Sequence, residues 1–297
     1  MSKPSSFVNH ESCTGCKTCI EVCPNALLEI NDTKKAQFTP YATTLCIVCG
    51  QCMMVCPHEA VHINGLDYAR DFNPLPPDKP NAEVFTNIIR TRRSLRSFKS
   101  DPVPDEILEQ LVTMISYAPP SFPPHKVEVT VVKDRSVLAQ SIPIFFELYS
   151  KLGNWLKNPF MRFFIKRNIP PAVFITLTEH ILPLIPMMEE QYKAHSRNKI
   201  FYDAPVLLLF HAHKLAPEHT PDSYIDMTYA WLAAHSLNLG AIAIGLLPFP
   251  INRDKRLRKL FQIPDENEVI IGLGVGYHQT KYRRTIKRSL AKVTWIK

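Results

Sequence analysis

All eight cysteines of this 297-residue chain fall in two runs near its start. The first is Cys13-Thr14-Gly15-Cys16-Lys17-Thr18-Cys19-Ile20-Glu21-Val22-Cys23-Pro24, and the second is Cys46-Ile47-Val48-Cys49-Gly50-Gln51-Cys52-Met53-Met54-Val55-Cys56-Pro57. Both follow C-x2-C-x2-C-x3-C-P. Thiolates are soft ligands that suit iron, and three at two-residue gaps can wrap three corners of one iron–sulfur cube. The chemistry this implies is one-electron transfer. Zinc knuckles also use CxxC pairs, but they need neither a third cysteine two residues on nor a fourth followed by proline. The C-x3-C-x2-C spacing of radical enzymes is absent.

The doubled run resembles the bacterial two-cluster ferredoxins. That resemblance implies that the fourth cysteine of each run serves the other cluster. Cys13, Cys16, Cys19 and Cys56 would hold one [4Fe–4S] cluster. Cys46, Cys49, Cys52 and Cys23 would hold the other. A second motif overlaps the region: His58-Glu59-Ala60-Val61-His62 matches H-E-x-x-H. That zinc signature works only on a helix, where both imidazoles share a face. Here it follows Cys56-Pro57 and runs into an apolar segment expected to be a strand, so protease chemistry is not expected.

A further chemical feature lies at Arg90–Phe98, where Arg90, Arg92, Arg93 and Arg96 crowd around Ser94. Guanidinium forks match phosphate oxygens and a serine hydroxyl adds a donor. The same pattern also reads as a solvated basic helix end or as a contact to nucleic-acid phosphates.

These groups need elements to hold them. The two cysteine runs form an internal repeat, each followed by a short apolar segment, Ala26–Ile30 and Ala60–Ile63. A two-cluster unit needs only about 60–70 residues, because ligation replaces much of a core; residues 1–70 suffice. Residues 71–83 carry Pro74, Pro76, Pro77 and Pro80 and read as an extended, semi-rigid linker. From 84 to 297 helical and strand patterns alternate, as in an α+β domain. Pro104, Asp105 and Glu106 open a helix, with Ile107, Leu108, Leu111, Val112 and Ile115 at helical spacing. Val127–Val132, Ala204–Ala212, Ala241–Leu247 and Val269–Val275 read as strands. Asp226–Leu239 reads as a helix stopped by Gly240. Residues 136–200 fit least well and read as a partly helical insertion whose aromatic face packs inward, with a membrane-surface role for its Phe160–Arg167 stretch as the alternative.

The larger domain resembles the nitroreductase family, FMN enzymes of α+β fold. The likeness rests on an ordered set: Arg92–Phe98, Ala118-Pro119-Pro120-Ser121, Tyr202-Asp203-Ala204-Pro205, Ala233–Gly245, and Gly272–Gly276 followed by Tyr277 and the basic run Lys281–Arg288. It implies that Arg92, Arg93, Ser94 and Arg96 hold the FMN phosphate and ribityl chain. Pro120, Ser121 and His125 would lie near the ring or ribityl. Ile244 and Gly245 would offer backbone contacts to the ring, and Arg283 or Arg284 would reach the phosphate. No residue acts as catalytic acid, base or nucleophile, since the flavin performs the chemistry. The family's Asn and Gln stretch is replaced here by Phe122-Pro123-Pro124-His125-Lys126. His125 either takes the glutamine's place or is an ordinary loop histidine, so nicotinamide use and substrate class stay open. The family also implies a homodimer with FMN at the interface.

The formal charge is +8. Each oxidised cluster with its thiolates carries roughly −2 and a flavin phosphate roughly −2 more, which leaves a loaded chain near +2. The basic excess is therefore largely counter-charge rather than a nucleic-acid signal. The first residues lack the apolar core of a secretory signal, and no run of 18 apolar residues suggests a span. With ligand-type cysteines, this points to the reducing cytoplasm. The combined expectation is an iron–sulfur flavoenzyme reducing a nitroaromatic, quinone or similar conjugated acceptor. NADH, NADPH or an external ferredoxin would supply electrons. The alternatives are an electron-carrier or adaptor subunit without catalysis, and an iron–sulfur nucleic-acid-binding protein.

Overall fold

A computed structural model describes residues 6–77, 79–121, 127–195 and 197–296. The chain divides into two compact units, Met1–Pro80 and Asn81–Lys297.

The first unit is built from small pieces: β1 (Phe7–Val8), α1 (Thr18–Glu21), β2 (Leu28–Ile30), β3 (Ala36–Phe38), α2 (Ala42–Leu45), α3 (Gln51–Met54), β4 (Val61–His62) and α4 (Tyr68–Asp71). β1 pairs antiparallel with β4, and β2 with β3. Leu28, Ala36, Met53, Ala60, Val61 and Ile63 form a small core together with cysteine side chains. The repeat extends to backbone conformation at an offset of 33 residues. Left-handed conformations occur at Gly15 and Val48, at Lys17 and Gly50, and at Ala26 and Glu59. Each cysteine run therefore turns in the same way in both halves. A β-branched residue at positive φ is costly, and Val48 bears that strain at φ 56°.

His58, Glu59 and His62 do not share a helix. Glu59 is left-handed at φ 48°, and His62 lies in β4 and stacks on Phe7 at 4.6 Å. Tyr68 closes the unit by donating its hydroxyl to the Val61 carbonyl at 2.9 Å.

The second unit holds α5 (Ala82–Thr91), α6 (Asp105–Ile115), β5 (Glu128–Val132), α7 (Arg135–Lys157), α8 (Pro159–Asn168), α9 (Pro171–Ile175), a π-helical turn at Thr176–Ile181, α10 (Leu184–His195), β6 (Val206–His213), α11 (His219–Ser236), β7 (Gly240–Ile244), α12 (Pro248–Ile251), α13 (Lys255–Leu260) and β8 (Asn267–Gly276). The strands form one antiparallel sheet in the order β5-β6-β8-β7. Both faces of β6 are covered, which explains its unbroken apolar run. Leu207 and Leu209 join a core with Ile142, Phe145 and Phe146 of α7. Val206, Leu208 and Phe210 join a second core with Leu108 and Leu111 of α6 and Ala230 and Ala234 of α11.

Several boundaries differ from the sequence expectation. Pro104 stands at the N-cap of α6, outside its first turn. α11 begins at His219, well before Asp226, because polar residues there occupy turns that carry little periodic signal. The 136–200 stretch is almost wholly helical, and α7 runs for 23 residues through an internal Pro143. The expected inward packing of its aromatic face is wrong for α8. That helix buries no residue, and Phe160, Phe163 and Phe164 are exposed at 75%, 67% and 58%. One helical stretch, Pro171–His195, is long and apolar enough by length and composition to cross a membrane. Scattered polar residues such as Thr178, Glu179 and His180 hide it from a search for unbroken apolar runs.

Candidate functional site: two cysteine cavities and an arginine-lined anion site

The fold sorts the eight cysteines into two sets of four. Cys13, Cys16, Cys19 and Cys56 line one cavity, together with Thr14, Lys17 and His58. Cys23, Cys46, Cys49 and Cys52 line another, together with Asn25, Ile47 and Leu27. Short helices α1 and α3 place the third cysteine of each run, Cys19 and Cys52, in buried positions. Among the described residues no tight group of His, Cys, Asp or Glu is sized for a single metal ion. Four sulfurs spread around a cavity instead suit a polynuclear iron–sulfur group, whose metals hold the thiolates apart.

The thiols respond to this crowding. Burial pushes Cys52 up to about 12, with the charges of Cys23, Cys49 and Cys46 adding to it. Burial likewise raises Cys19, helped by Cys56, Cys16 and Cys13. Metal binding must displace these protons. Cys16 is lowered by the Thr18 hydroxyl, which donates to its sulfur at 3.5 Å. Backbone N–H groups donate to sulfur at repeat-equivalent places: Leu27 to Cys23 at 3.3 Å and Ala60 to Cys56 at 3.2 Å. Such bonds hold the ligands and tune potential.

The cavity walls differ at equivalent positions. Lys17 and His58 flank the first cavity where Gly50 and Asn25 stand in the second half. The Lys35 ammonium also donates to the Cys13 carbonyl.

In the second unit, the arginine segment is stitched to the sheet edge. Ser94 bridges Ala241 of β7 in parallel fashion, and the Leu95 N–H donates to the Ala241 carbonyl at 3.0 Å. Gly240 makes this approach possible. A Cβ there would meet the Leu95 side chain and lie 3.0 Å from His278 Nε2. Arg92 and Arg93 are half-buried. The Arg92 guanidinium stacks on the Trp231 indole of α11 at 4.1 Å from the ring centre, and Arg93 Nη1 donates to the Arg92 carbonyl at 2.6 Å. Arg92 Nη1 and Arg93 Nη2 are buried and find no hydrogen-bond partner among the described residues.

The surroundings reinforce the positive potential. Burial, Arg93 and Arg288 each lower the Arg92 pKa. His235, whose Nε2 lies 2.8 Å from the Thr91 hydroxyl, is lowered by burial and by His278, Arg92 and Arg93. Enclosed guanidinium donors that meet no acidic partner among the described residues offer a place for a compact anion such as a phosphate.

The other expected residues are spread around it. Arg96 is exposed and lies over the Tyr202 ring at 6.0 Å. Ile244 is buried at the far end of β7, and the next residue, Gly245, is exposed with open space beside its Cα. Pro120 is exposed. Ser121 is tied to α11, with its hydroxyl donating to Asp222 at 2.9 Å and its N–H at 3.1 Å. On the same helix, burial and Asp222 raise the Asp226 carboxyl to about 6. Arg283 and Arg284 are exposed. It is Arg288, further along the same basic run, whose charge bears on Arg92. His125 lies outside the described residues. Trp231, His235, His278 and Arg288 were not singled out from the sequence. Of these, Arg288 alone lay in a basic run that the sequence marked, Lys281–Arg288.

An α+β sheet domain carrying an enclosed anion site, preceded by two four-cysteine cavities, defines an iron–sulfur oxidoreductase. The nitroreductase family model matches residues 89–277 and the 4Fe–4S dicluster domain model matches residues 12–60. The chain belongs to the nitroreductase family, with a ferredoxin domain ahead of its nitroreductase-like α+β domain. Similar solved structures include a nitroreductase with bound FMN from Bacteroides fragilis NCTC 9343, at 16% identity and TM-score 0.53, covering 73% of this chain and 100% of that one. Another is a nitroreductase with bound FMN from Desulfitobacterium hafniense DCB-2, at 18% identity and TM-score 0.52, covering 72% and 98%. At such identities these likenesses speak to the fold. Curated protein sequences gave no significant match.

Proposed function

We propose that the chain is an iron–sulfur flavoprotein reductase in which two [4Fe–4S] clusters feed FMN, and FMN reduces a small conjugated acceptor such as a nitroaromatic or quinone. The observation that carries this reading is the pair of buried, unpartnered guanidinium atoms, Arg92 Nη1 and Arg93 Nη2. When bound, the clusters move single electrons and FMN gathers two and delivers a hydride equivalent.

The chain's own residues bind and orient. Cys13, Cys16, Cys19 and Cys56 hold one cluster, and Cys46, Cys49, Cys52 and Cys23 the other. Arg92 and Arg93, with Arg288 beside them, receive the flavin phosphate. Ser94 lies next to them on the β7 edge. Ile244 lies three residues along β7 from the bridged Ala241, about 10 Å at strand rise, with Gly245 in the turn just beyond it, which leaves room for a ribityl chain between phosphate and ring. Gly245 presents backbone without a side chain. Two half-buried guanidinium groups fit one compact phosphate better than a nucleic-acid backbone, which is tracked by exposed side chains.

A homodimer belongs to the proposal. α5 buries no residue and exposes Val84, Phe85 and Ile89. The C-terminal segment exposes Ile286, Leu290, Val293, Trp295 and Ile296. A second copy would cover such apolar surface. Ligand-type thiols support a reducing, cytoplasmic setting as part of the proposal, with NADH, NADPH or an external ferredoxin as donor.

Anaerobic purification with iron and flavin quantitation tests the reading. The expected result is both cofactors in the native chain and iron without FMN in Arg92→Ala/Arg93→Ala. A fully iron-loaded native chain that neither contains nor takes up FMN would make it an electron carrier instead. Stopped-flow reduction by each donor then separates the donors.

A further inference from the structure

From Leu148 to Thr178 the sequence carries five cations, Lys151, Lys157, Arg162, Lys166 and Arg167, and no acidic residue. The structure folds this stretch into the end of α7, all of α8 and the helical turns that follow. α8 uses one narrow side inward: Ile165 and the following Ile169 pack against Leu152, Leu156 and Phe174. Phe160, Phe163 and Phe164, spaced at i, i+3 and i+4, face away and are exposed. Three phenylalanines in water on one helix side, flanked by Arg162, Lys166 and Arg167, leave a large apolar area uncovered.

The next helical stretch, Pro171–His195, adds an independent observation. It is long and apolar enough to cross a membrane by length and composition alone, yet only 17% of its most apolar stretch is buried in the protein. Phe174, Ile185 and Met188 are buried in the protein. Val173, Ile175, Leu184 and Met187 remain exposed at about half their area or slightly less. Between these elements lies a cleft of about 330 Å³ whose lining includes Lys157 and Arg162 on one side and Leu182 and Ile185 on another.

We propose that this helical insertion is a docking surface for an anionic lipid bilayer, with α8 lying in the interface. Aromatic side chains would enter the headgroup–acyl boundary while the neighbouring cations meet lipid phosphates, the pattern of an interfacial helix. Charge selects this occupant. A two-fold contact through the same surface would bring Arg162, Lys166 and Arg167 against their own copies, and like charges oppose that. A bilayer carrying phosphatidylglycerol complements all five cations and covers the phenylalanines together. The proposal concerns attachment and does not depend on the acceptor.

Flotation of the full cofactor-loaded protein with vesicles tests it, comparing phosphatidylcholine alone with mixtures containing phosphatidylglycerol. The native chain should float with the anionic vesicles only, and salt should release it. Phe160→Ser/Phe163→Ser/Phe164→Ser should abolish flotation. Arg162→Gln/Lys166→Gln/Arg167→Gln should lower partitioning on the order of 100-fold, from three surface cations lost. Iron content and light-scattering mass of each variant report folding and assembly. Equal flotation with neutral vesicles, no flotation at low salt, or unchanged flotation of both variants would overturn the proposal. So would a phenylalanine variant whose only change is a smaller oligomer, since the surface would then join copies.

Discussion

The Arg92 guanidinium lies 4.1 Å from the centre of the Trp231 indole ring, and one of its nitrogens is buried with no hydrogen-bond partner among the described residues. The ring takes up one face of the guanidinium plane and leaves the in-plane donors for an anion. Arg93 and Arg288 add like charge, so the empty site is electrostatically unfavourable and the filled one is relieved. Arg92→Ala should therefore weaken FMN retention by about 10–100-fold, the worth of one charge-assisted hydrogen bond. The flavin-free protein should lose no stability. Flavin titration and thermal unfolding of both forms check this. A variant that retains flavin normally would remove Arg92 from the phosphate site.

The pairing of cysteines across the repeat makes a prediction that sequence proximity would reverse. Cys56→Ser should damage the cluster held with Cys13, although Cys56 neighbours Cys52 in the chain. Its residual electron paramagnetic resonance spectrum should match that of Cys13→Ser. Cys23→Ser should match Cys46→Ser. Iron should fall by roughly half in each. If Cys56→Ser instead matches Cys46→Ser, each run serves its own cluster.

Val48 at φ 56° and its counterpart Gly15 at φ 73° occupy one turn in two halves. Val48→Gly should stabilise the first unit by about 1 kcal/mol through relief of left-handed strain. Gly50→Ala should destabilise it, since a Cβ there also meets the Phe72 ring at 3.1 Å. Thermal unfolding of the iron-loaded protein reads both. A drop in midpoint for Val48→Gly would show that its side chain contributes more than its backbone costs.

Asp226 supplies a pH dependence. Its carboxyl is raised to about 6 by burial and by Asp222, so the folded state favours the protonated form. That contribution is fully present below the unfolded value, near 4, and is lost as pH rises through about 6. Asp226→Asn should raise stability by about 1 kcal/mol near pH 8, after allowance for partial exposure, and by about half as much near pH 5. An equal effect at both pH values would mean that Asp226 acts through something other than its charge.

How far the sequence reaches depends on how local each signal is. The cysteine runs are legible because ligand spacing is covalent, and β6 is legible because a strand covered on both faces must be apolar throughout. Trp231 was invisible as a site residue, since an aromatic on an Ala-rich helix looks like core until Arg92 is seen against it. Arg288 was one cation in a basic run, and only folding brings its charge to Arg92. The outward turn of Phe163 and Phe164 was equally hidden. An aromatic stripe at helical spacing reads the same whether it faces a core or a surface.

The unlike walls of the two cysteine cavities make the doubled domain electrostatically asymmetric. Adding an electron makes a cluster more negative. Lys17 in the lining of the first cavity, with Lys35 bound to the Cys13 carbonyl, would favour that charge, whereas Asn25, Leu27 and Ile47 line the second with no cation among the described residues. A cluster held by Cys13, Cys16, Cys19 and Cys56 would then be the easier of the two to reduce, although the backbone around both turns alike.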